Sequence, residues 1–289
     1  MFTKAHSAKL FLPITNAVPI MLTILAALLL VSCHGAGRGP RTDISDLVAA
    51  AGASLNSSTL LIVRQSDGAE WYSNEGRLDR RLVPASTSKI PHTLIALETG
   101  AAGPDTVFSW DGVQRGIAEW NQDHTLTSAY RTSAVWVYQE LTSQLGYTTM
   151  AEWIELCDFG NQNIGDPDDL ERYWLDGPLV ISTREQIRFL VTVAQAELPF
   201  SKQTYDQARQ IMTEDQGEDW TLYAKTGWAL RGDLVDIGWY VGWVDKKTND
   251  GNVETYYFAF NLDMPAPKED GVKRKAVVHK VLKDIGIIS

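Results

Sequence analysis

Strand-forming patterns cluster at the two ends of this chain, and helical patterns fill the middle. Thr59–Arg64 is β-branched and apolar, and Glu70–Ser73 follows a Ser-Asp-Gly turn, which predicts a hairpin. Thr221–Thr226, Leu234–Val244 and Thr255–Asp263 are three further strand segments, with Lys247–Asn252 as a turn between the last two. Residues 100–190 hold no good strand run. Helical spacing marks Asp43–Ala51 and Lys273–Ile285, and a helix is expected from just after Pro84 to about Glu98, stopped by Gly100. The simplest assembly is an α+β fold. Its central antiparallel sheet joins the N- and C-terminal strands, the terminal helices cover that sheet, and the middle forms a mostly helical second lobe. The sheet lobe spans about 42–85 and 200–289, and the helical lobe about 86–199. A cleft between the two lobes is the natural place for a site.

The first residues do not fit this scheme. Residues 1–32 carry Lys4 and Lys9 and no acidic residue, then an apolar stretch from Val18 to Val31 broken only by Pro19 and Thr23. A basic start followed by a short apolar run reads as an export signal. It is short for a membrane-spanning helix, which needs about 20 apolar residues. The run ends Leu30-Val31-Ser32-Cys33, which resembles a bacterial lipobox. Residues 1–32 then form a lipoprotein signal peptide, Cys33 is the lipidation point, and 33–41 is a flexible tether to a single domain over 42–289. Two acyl chains hold a protein firmly on a bilayer. Removing the leader takes the net charge from −10 to −12. Such acidity argues against a nucleic-acid partner, because a phosphate backbone demands a basic surface. The second cysteine, Cys157, has no internal partner and is expected to be a small buried hydrophobe.

Several chemistries are missing from the sequence. It has no Gly-x-Ser-x-Gly elbow, no His-Glu-x-x-His and no Cys-x-x-Cys, so a lipase-like hydrolase and a metal enzyme are both disfavoured. Asp166-Pro167-Asp168-Asp169 lacks the glycine and terminal glutamate of a calcium loop and reads as solvated. His34, His92, His124 and His279 form no ligand pattern. What remains is Ser86-Thr87-Ser88-Lys89, with Pro84 just upstream. A serine hydroxyl is a poor nucleophile until a base takes its proton. A lysine one helical turn away can be that base if burial lowers its pKa. Lys225-Thr226-Gly227 at a strand end supplies a positive charge, a hydroxyl and a close backbone approach.

Together these two motifs resemble the penicillin-recognising serine acyl-enzymes. Ser133-Ala134-Val135 stands where a second Ser-x-Asn motif is usual, and Trp174-Leu175-Asp176-Gly177-Pro178-Leu179 follows. These two, with Trp120-Asn121-x-Asp123, Gly238-Trp239-Tyr240-Val241-Gly242-Trp243 and Phe258-Ala259-Phe260-Asn261-Leu262-Asp263, resemble the class D β-lactamases over roughly residues 43–288. One departure is Phe159-Gly160-Asn161, where that family has a tyrosine first.

The resemblance implies the β-lactamase/transpeptidase-like fold and hydrolysis of β-lactam antibiotics through an acyl-enzyme on Ser86. It assigns Lys89, as N6-carboxylysine, the role of general base, with carbon dioxide or bicarbonate as the only added component and no metal. It gives the Trp174 indole N–H the task of holding that carbamate, and Ser133 the proton relay to the leaving nitrogen. Lys225, Thr226 and Arg274 would bind the substrate carboxylate, with Gly227 beside them and the Trp228 N–H, with that of Ser86, in the oxyanion hole. Val135 and Leu175 would line the lysine pocket; valine there suits a dry pocket, because desolvation disfavours an ammonium ion. The loop from Trp228 to Ile237 would shape substrate preference. The protein is then expected on the periplasmic side of a Gram-negative-type bacterium, anchored to a membrane by lipid. Two alternatives share the motifs: a β-lactam sensor domain that acylates with little turnover, and a penicillin-binding peptidase, which would be expected to keep asparagine at position 135.

Overall fold

A computed structural model describes residues 39–289. The signal peptide, Cys33, His34 and most of the expected tether lie outside the described residues. In chain order the elements are β1 (Arg41–Asp43), α1 (Ser45–Ala50), β2 (Ser58–Arg64), β3 (Glu70–Tyr72), α2 (Lys89–Glu98), β4 (Val107–Phe108) and β5 (His124–Thr125). Then follow α3 (Leu126–Thr132), α4 (Val135–Leu145), α5 (Tyr147–Leu156), α6 (Thr183–Ala194) and α7 (Lys202–Met212). The chain closes with β6 (Thr213–Gln216), β7 (Trp220–Ala229), β8 (Asp236–Lys247), β9 (Val253–Met264) and α8 (Pro267–Asp284).

The two ends of the chain do meet. β2 pairs antiparallel with β9 from Ser58↔Leu262 to Arg64↔Tyr256. The sheet runs β1-β3-β2-β9-β8-β7-β6. Each of β8 and β9 alternates its side chains between two cores. Trp239, Val241, Trp243, Tyr257 and Ala259 face the core shared with α2 to α7, while Tyr240, Val244, Phe258 and Phe260 face the core under α1 and α8. A sheet covered on both faces reads as nearly continuous apolar sequence, as these two strands do.

The sheet is mixed rather than wholly antiparallel. β1 runs parallel to β3. No tight turn joins them; the chain passes through α1 and β2 in between, long enough to return in the same direction. Arg41, at the expected end of the tether, already opens β1 and binds Glu70 with its Nε at 2.9 Å. β6 also escaped the pattern, since Thr-Glu-Asp-Gln is polar on both sides of an edge strand. So did the short β4–β5 pair in the middle of the chain.

Two boundaries also differ from expectation. α7 packs on α2 and α3, with Tyr205, Ala208, Ile211 and Met212 buried in the shared core, so the helical lobe extends past residue 200. The helix expected just after Pro84 begins as a 3-10 turn, Ala85–Ser88, and becomes α-helical only at Lys89. Pro91 explains the break: it has no N–H to give Thr87, and its ring crowds that carbonyl.

Cys157 is buried, and burial pushes its thiol up to about 12. Phe159 is packed edge-on to Phe189 at 4.8 Å in the same core. The β8 strand runs so close to β7 that a Cβ on Gly242 would overlap the Tyr223 carbonyl oxygen. Gly242→Ala is therefore expected to destabilise the protein by about 3 kcal/mol. Thermal denaturation should show a Tm lower by roughly 6–12 °C; an unchanged Tm would contradict this packing.

Candidate active site

The Ser86 turn is fixed from three sides. Thr87 bonds back to the Pro84 carbonyl through both its N–H (3.2 Å) and its hydroxyl (2.9 Å). Gln186 on α6 donates to the Thr87 hydroxyl at 2.9 Å, and Trp239 on β8 donates its indole N–H to the Val83 carbonyl at 2.9 Å. Ala85, just before the serine, holds a left-handed φ of 48°, a conformation that costs about 1 kcal/mol or more and persists only under such constraint. The result sets Lys89 Nζ 2.9 Å from Ser86 Oγ. Ser86 keeps 8% exposure, whereas Lys89 has none.

Burial is the largest influence on Lys89 and lowers its pKa well below the usual lysine range; the positive charge of Lys225 lowers it further. The amine lies 4.4 Å from the Trp174 ring centroid and 5.0 Å from that of Tyr138. One turn further along α2, the buried His92 takes part in a 2.6 Å hydrogen bond with the Tyr173 hydroxyl. Its ring stands edge-on to Trp174 at 5.4 Å, and burial pushes its pKa down to about 3.

The indole N–H of Trp174 is buried and has no hydrogen-bond partner among the described residues. Leaving such a donor unsatisfied costs about 1–3 kcal/mol. An anionic group on Lys89 would supply the acceptor that this donor lacks. The residues around Lys89 thus fit the carbamate that the sequence resemblance implies.

On the other side of Ser86 stands β7. Lys225 is 3% exposed and donates to Ser133 Oγ at 3.0 Å and to the Thr226 carbonyl at 3.1 Å. Ser133 caps α3 with φ 60°, which turns it out of the helix. Gly227 is required by closeness: a Cβ there would meet the Pro84 carbonyl oxygen at 2.8 Å and Thr87 Cγ2 at 3.1 Å. Arg274, on α8, donates to the Gly227 carbonyl at 2.8 Å, and its guanidinium lies 5.5 Å from the Trp228 ring centroid. Asp236 fastens the following loop by accepting from the Trp228 indole at 2.8 Å and from the Arg231 N–H at 3.0 Å.

These parts enclose a cleft of about 650 Å³. Ser86, Ser133, Val135, Leu175, Thr226, Trp228 and Arg274 line it. Lys89 and Trp174 lie buried beside it, Lys225 reaches it through Ser133, and Gly227 holds β7 against the Ser86 turn. Every site residue expected from the sequence within the described region is therefore placed at or directly beside one cleft. The loop from Trp228 to Ile237 does reach the cleft, through Leu230, 70% exposed, whereas sequence reasoning missed Ile117 on the apolar rim, 43% exposed. No motif marks Ile117. It also set His92 aside, although His92 packs on the tryptophan of the lysine pocket. His279 meets Tyr240 on the far face of the sheet, and His124 bonds to Ser128 and the Glu119 carbonyl. Among the described residues no group of three His, Cys, Asp or Glu side chains could hold a metal ion.

A serine paired to a buried lysine beneath a Lys-Thr-Gly strand defines a penicillin-binding transpeptidase type of domain. The family described as "Penicillin binding protein transpeptidase domain" matches residues 55–283. Among curated relatives, β-lactamase OXA-3 of Pseudomonas aeruginosa is 40% identical over 224 residues, 77% of each chain. β-Lactamase OXA-48 of Klebsiella pneumoniae is 40% identical over 219 residues, 75% of this chain and 79% of its own. The solved class D β-lactamase YbXI from Nostoc superposes with a TM-score of 0.77 at 35% identity, covering 83% of this chain and 97% of that one. The chain belongs to the class D β-lactamases and is a serine β-lactam hydrolase.

The fit at Gly227 makes a test of the site geometry. Gly227→Ala should push β7 away from the Ser86 turn and lower kcat/KM for a chromogenic cephalosporin by roughly 100-fold. Full activity in that variant would show that the close approach is not needed.

Proposed function

We propose that β-lactams are opened by an acyl-enzyme route on Ser86, with Lys89 carboxylated as the general base. The observation that carries this reading is the desolvated Lys89 amine, 2.9 Å from Ser86 Oγ and next to the partnerless Trp174 indole. A neutral amine has the lone pair that adds carbon dioxide, with loss of one proton, whereas an ammonium ion does not. The carbamate supplies an anionic oxygen that can accept a proton from Ser86 and later from water. Trp174 holds it as a pure donor, which suits an anion. Val135 and Leu175 limit water around it, and a dry pocket favours the neutral amine over the ammonium ion.

Ser86 Oγ attacks the lactam carbonyl, and the carbonyl oxygen takes up negative charge. The backbone N–H groups of Ser86 and Trp228 stabilise it; one such donor is worth about 3–4 kcal/mol. As the C–N bond breaks, Ser133 relays to the leaving nitrogen the proton that Lys89 took from Ser86, which frees Lys89 to act as base again. Lys225, donating to Ser133 Oγ at 3.0 Å, holds that hydroxyl in place for the relay. Lys225, Thr226 and Arg274 hold the substrate carboxylate, a local basic patch on a chain of net charge −10. Water, activated at Lys89, then releases the product from Ser86.

We also propose that the chain is exported, cleaved before Cys33, and held by lipid on the periplasmic side of a membrane, on the strength of the leader and its Leu-Val-Ser-Cys ending.

Two experiments test these readings. Ser86→Ala should lower kcat by at least about 10⁴-fold, while Trp174→Ala should lose most activity and regain part of it with added bicarbonate. A Trp174→Ala enzyme indifferent to bicarbonate would remove the carboxylated lysine from the mechanism. In cells, labelled palmitate should enter the wild-type chain and not Cys33→Ser; equal labelling of both would refute lipidation at Cys33.

A further inference from the structure

β6 contains an irregularity next to Lys225. Thr213 pairs with Tyr223 and Asp215 pairs with Leu222, so Glu214 is the extra residue of a β-bulge. A bulge re-aims the side chain it carries. A second cavity, of about 570 Å³, lies here, lined by Glu214, Lys225, Lys275, Tyr130 and Arg131 among others. Thr226 and Arg131 line both this cavity and the catalytic cleft, so Lys225 stands at the divide between the two. The Glu214 side chain is only 22% exposed and is held by Lys275 Nζ at 2.5 Å.

We propose that Glu214 is a positioning residue whose carboxylate keeps Lys225 protonated. Every other charged group found acting on Lys225 opposes its charge. Burial acts most strongly and, with Lys275 and Arg274 on α8, pushes it down to about 7; Glu214 pushes it up. The remaining neighbours are the Tyr130 ring on α3, whose centroid is 5.5 Å from Nζ, the Ser133 hydroxyl, Arg131 and the Asp215 carboxylate in the cavity wall, and the amine of Lys89. Tyr240, opposite Thr226 on β8, has its phenol raised first by burial and then by Glu214. The carboxylate of Glu214 thus offsets the cost of a buried ammonium ion while lying outside the reacting cleft. This rests on the reading of Lys225 as donor to the substrate carboxylate and to Ser133.

The sign is definite. Lys225 is charged below its pKa and neutral above it, so its function fades as pH rises through about 7 in the free enzyme. Carbon-13 NMR titration of the lysine Cε signals of the full chain, with the Lys225 signal assigned by its loss in Lys225→Arg, measures the midpoint directly. Glu214→Gln should lower it by about one pH unit. Lys275→Met, at a side chain 51% exposed, should raise it. A general loosening of the structure would move both variants the same way. An unmoved midpoint in Glu214→Gln, or shifts of equal sign in the two variants, overturns the proposal. If Glu214→Gln does not fold, the Lys275→Met shift decides alone, upward in support and unmoved or downward against. The basic limb of kcat/KM should follow the NMR midpoint. A limb that stays fixed while the midpoint moves supports the role of Glu214 and removes Lys225 from carboxylate recognition.

Discussion

An amine can be buried cheaply only by giving up its proton, and the active site is arranged around that constraint. Lys89 has no exposure, no ion-pair partner among the described residues, and aromatic rings on two sides. The desolvation that favours the neutral amine also suits the proposed role of Lys89, a base toward Ser86 with a lone pair for carbon dioxide. A salt bridge to Lys89 would have stabilised the ammonium ion and removed the base. The apolar Val135 at the mouth of the pocket and the partnerless indole of Trp174 are consistent with the same requirement.

The second lysine solves the opposite problem. Lys225 is nearly as buried as Lys89, but its proposed hold on the substrate carboxylate requires it charged. It has oxygen acceptors, Ser133 and the Thr226 carbonyl, and a carboxylate behind it on β6. Two buried lysines in one site thus have opposite protonation needs, set by their surroundings and not by their chemistry. The charge of Lys225 adds to the burial that lowers the Lys89 pKa.

The backbone carries this arrangement through close approaches. Gly227 lets β7 touch the Ser86 turn, and Gly238 leaves room for Arg274, whose Cδ would be 2.9 Å from a Cβ there. Both contacts cross between segments far apart in the chain. The pairing of β2 with β9 brings those segments together, and the core of Trp239, Val241 and Trp243 against α2 and α6 keeps the turn and the strand in register.

Much of this was legible in the residues themselves. Apolar, β-branched runs and their turn residues located β2, β3, β7, β8 and β9, because those strands build both cores and carry a strong pattern. The Ser86–Lys89 and Lys225–Gly227 motifs were legible because backbone spacing alone limits which groups can meet. Polar edge strands such as β6, the parallel β1, and the 3-10 entry to α2 were not, since their pairing or packing depends on residues distant in sequence. The amino-acid sequence by itself determined the class of fold, the Ser86–Lys89 pair and the Lys225–Gly227 strand that lies beside it. Only the tertiary structure decided the burial of the two lysines, the orphan donor at Trp174 and the presence of Glu214 in the cavity beside Lys225. Burial and electrostatic fields are set by everything that surrounds a group in space, and no local stretch of sequence contains that surrounding.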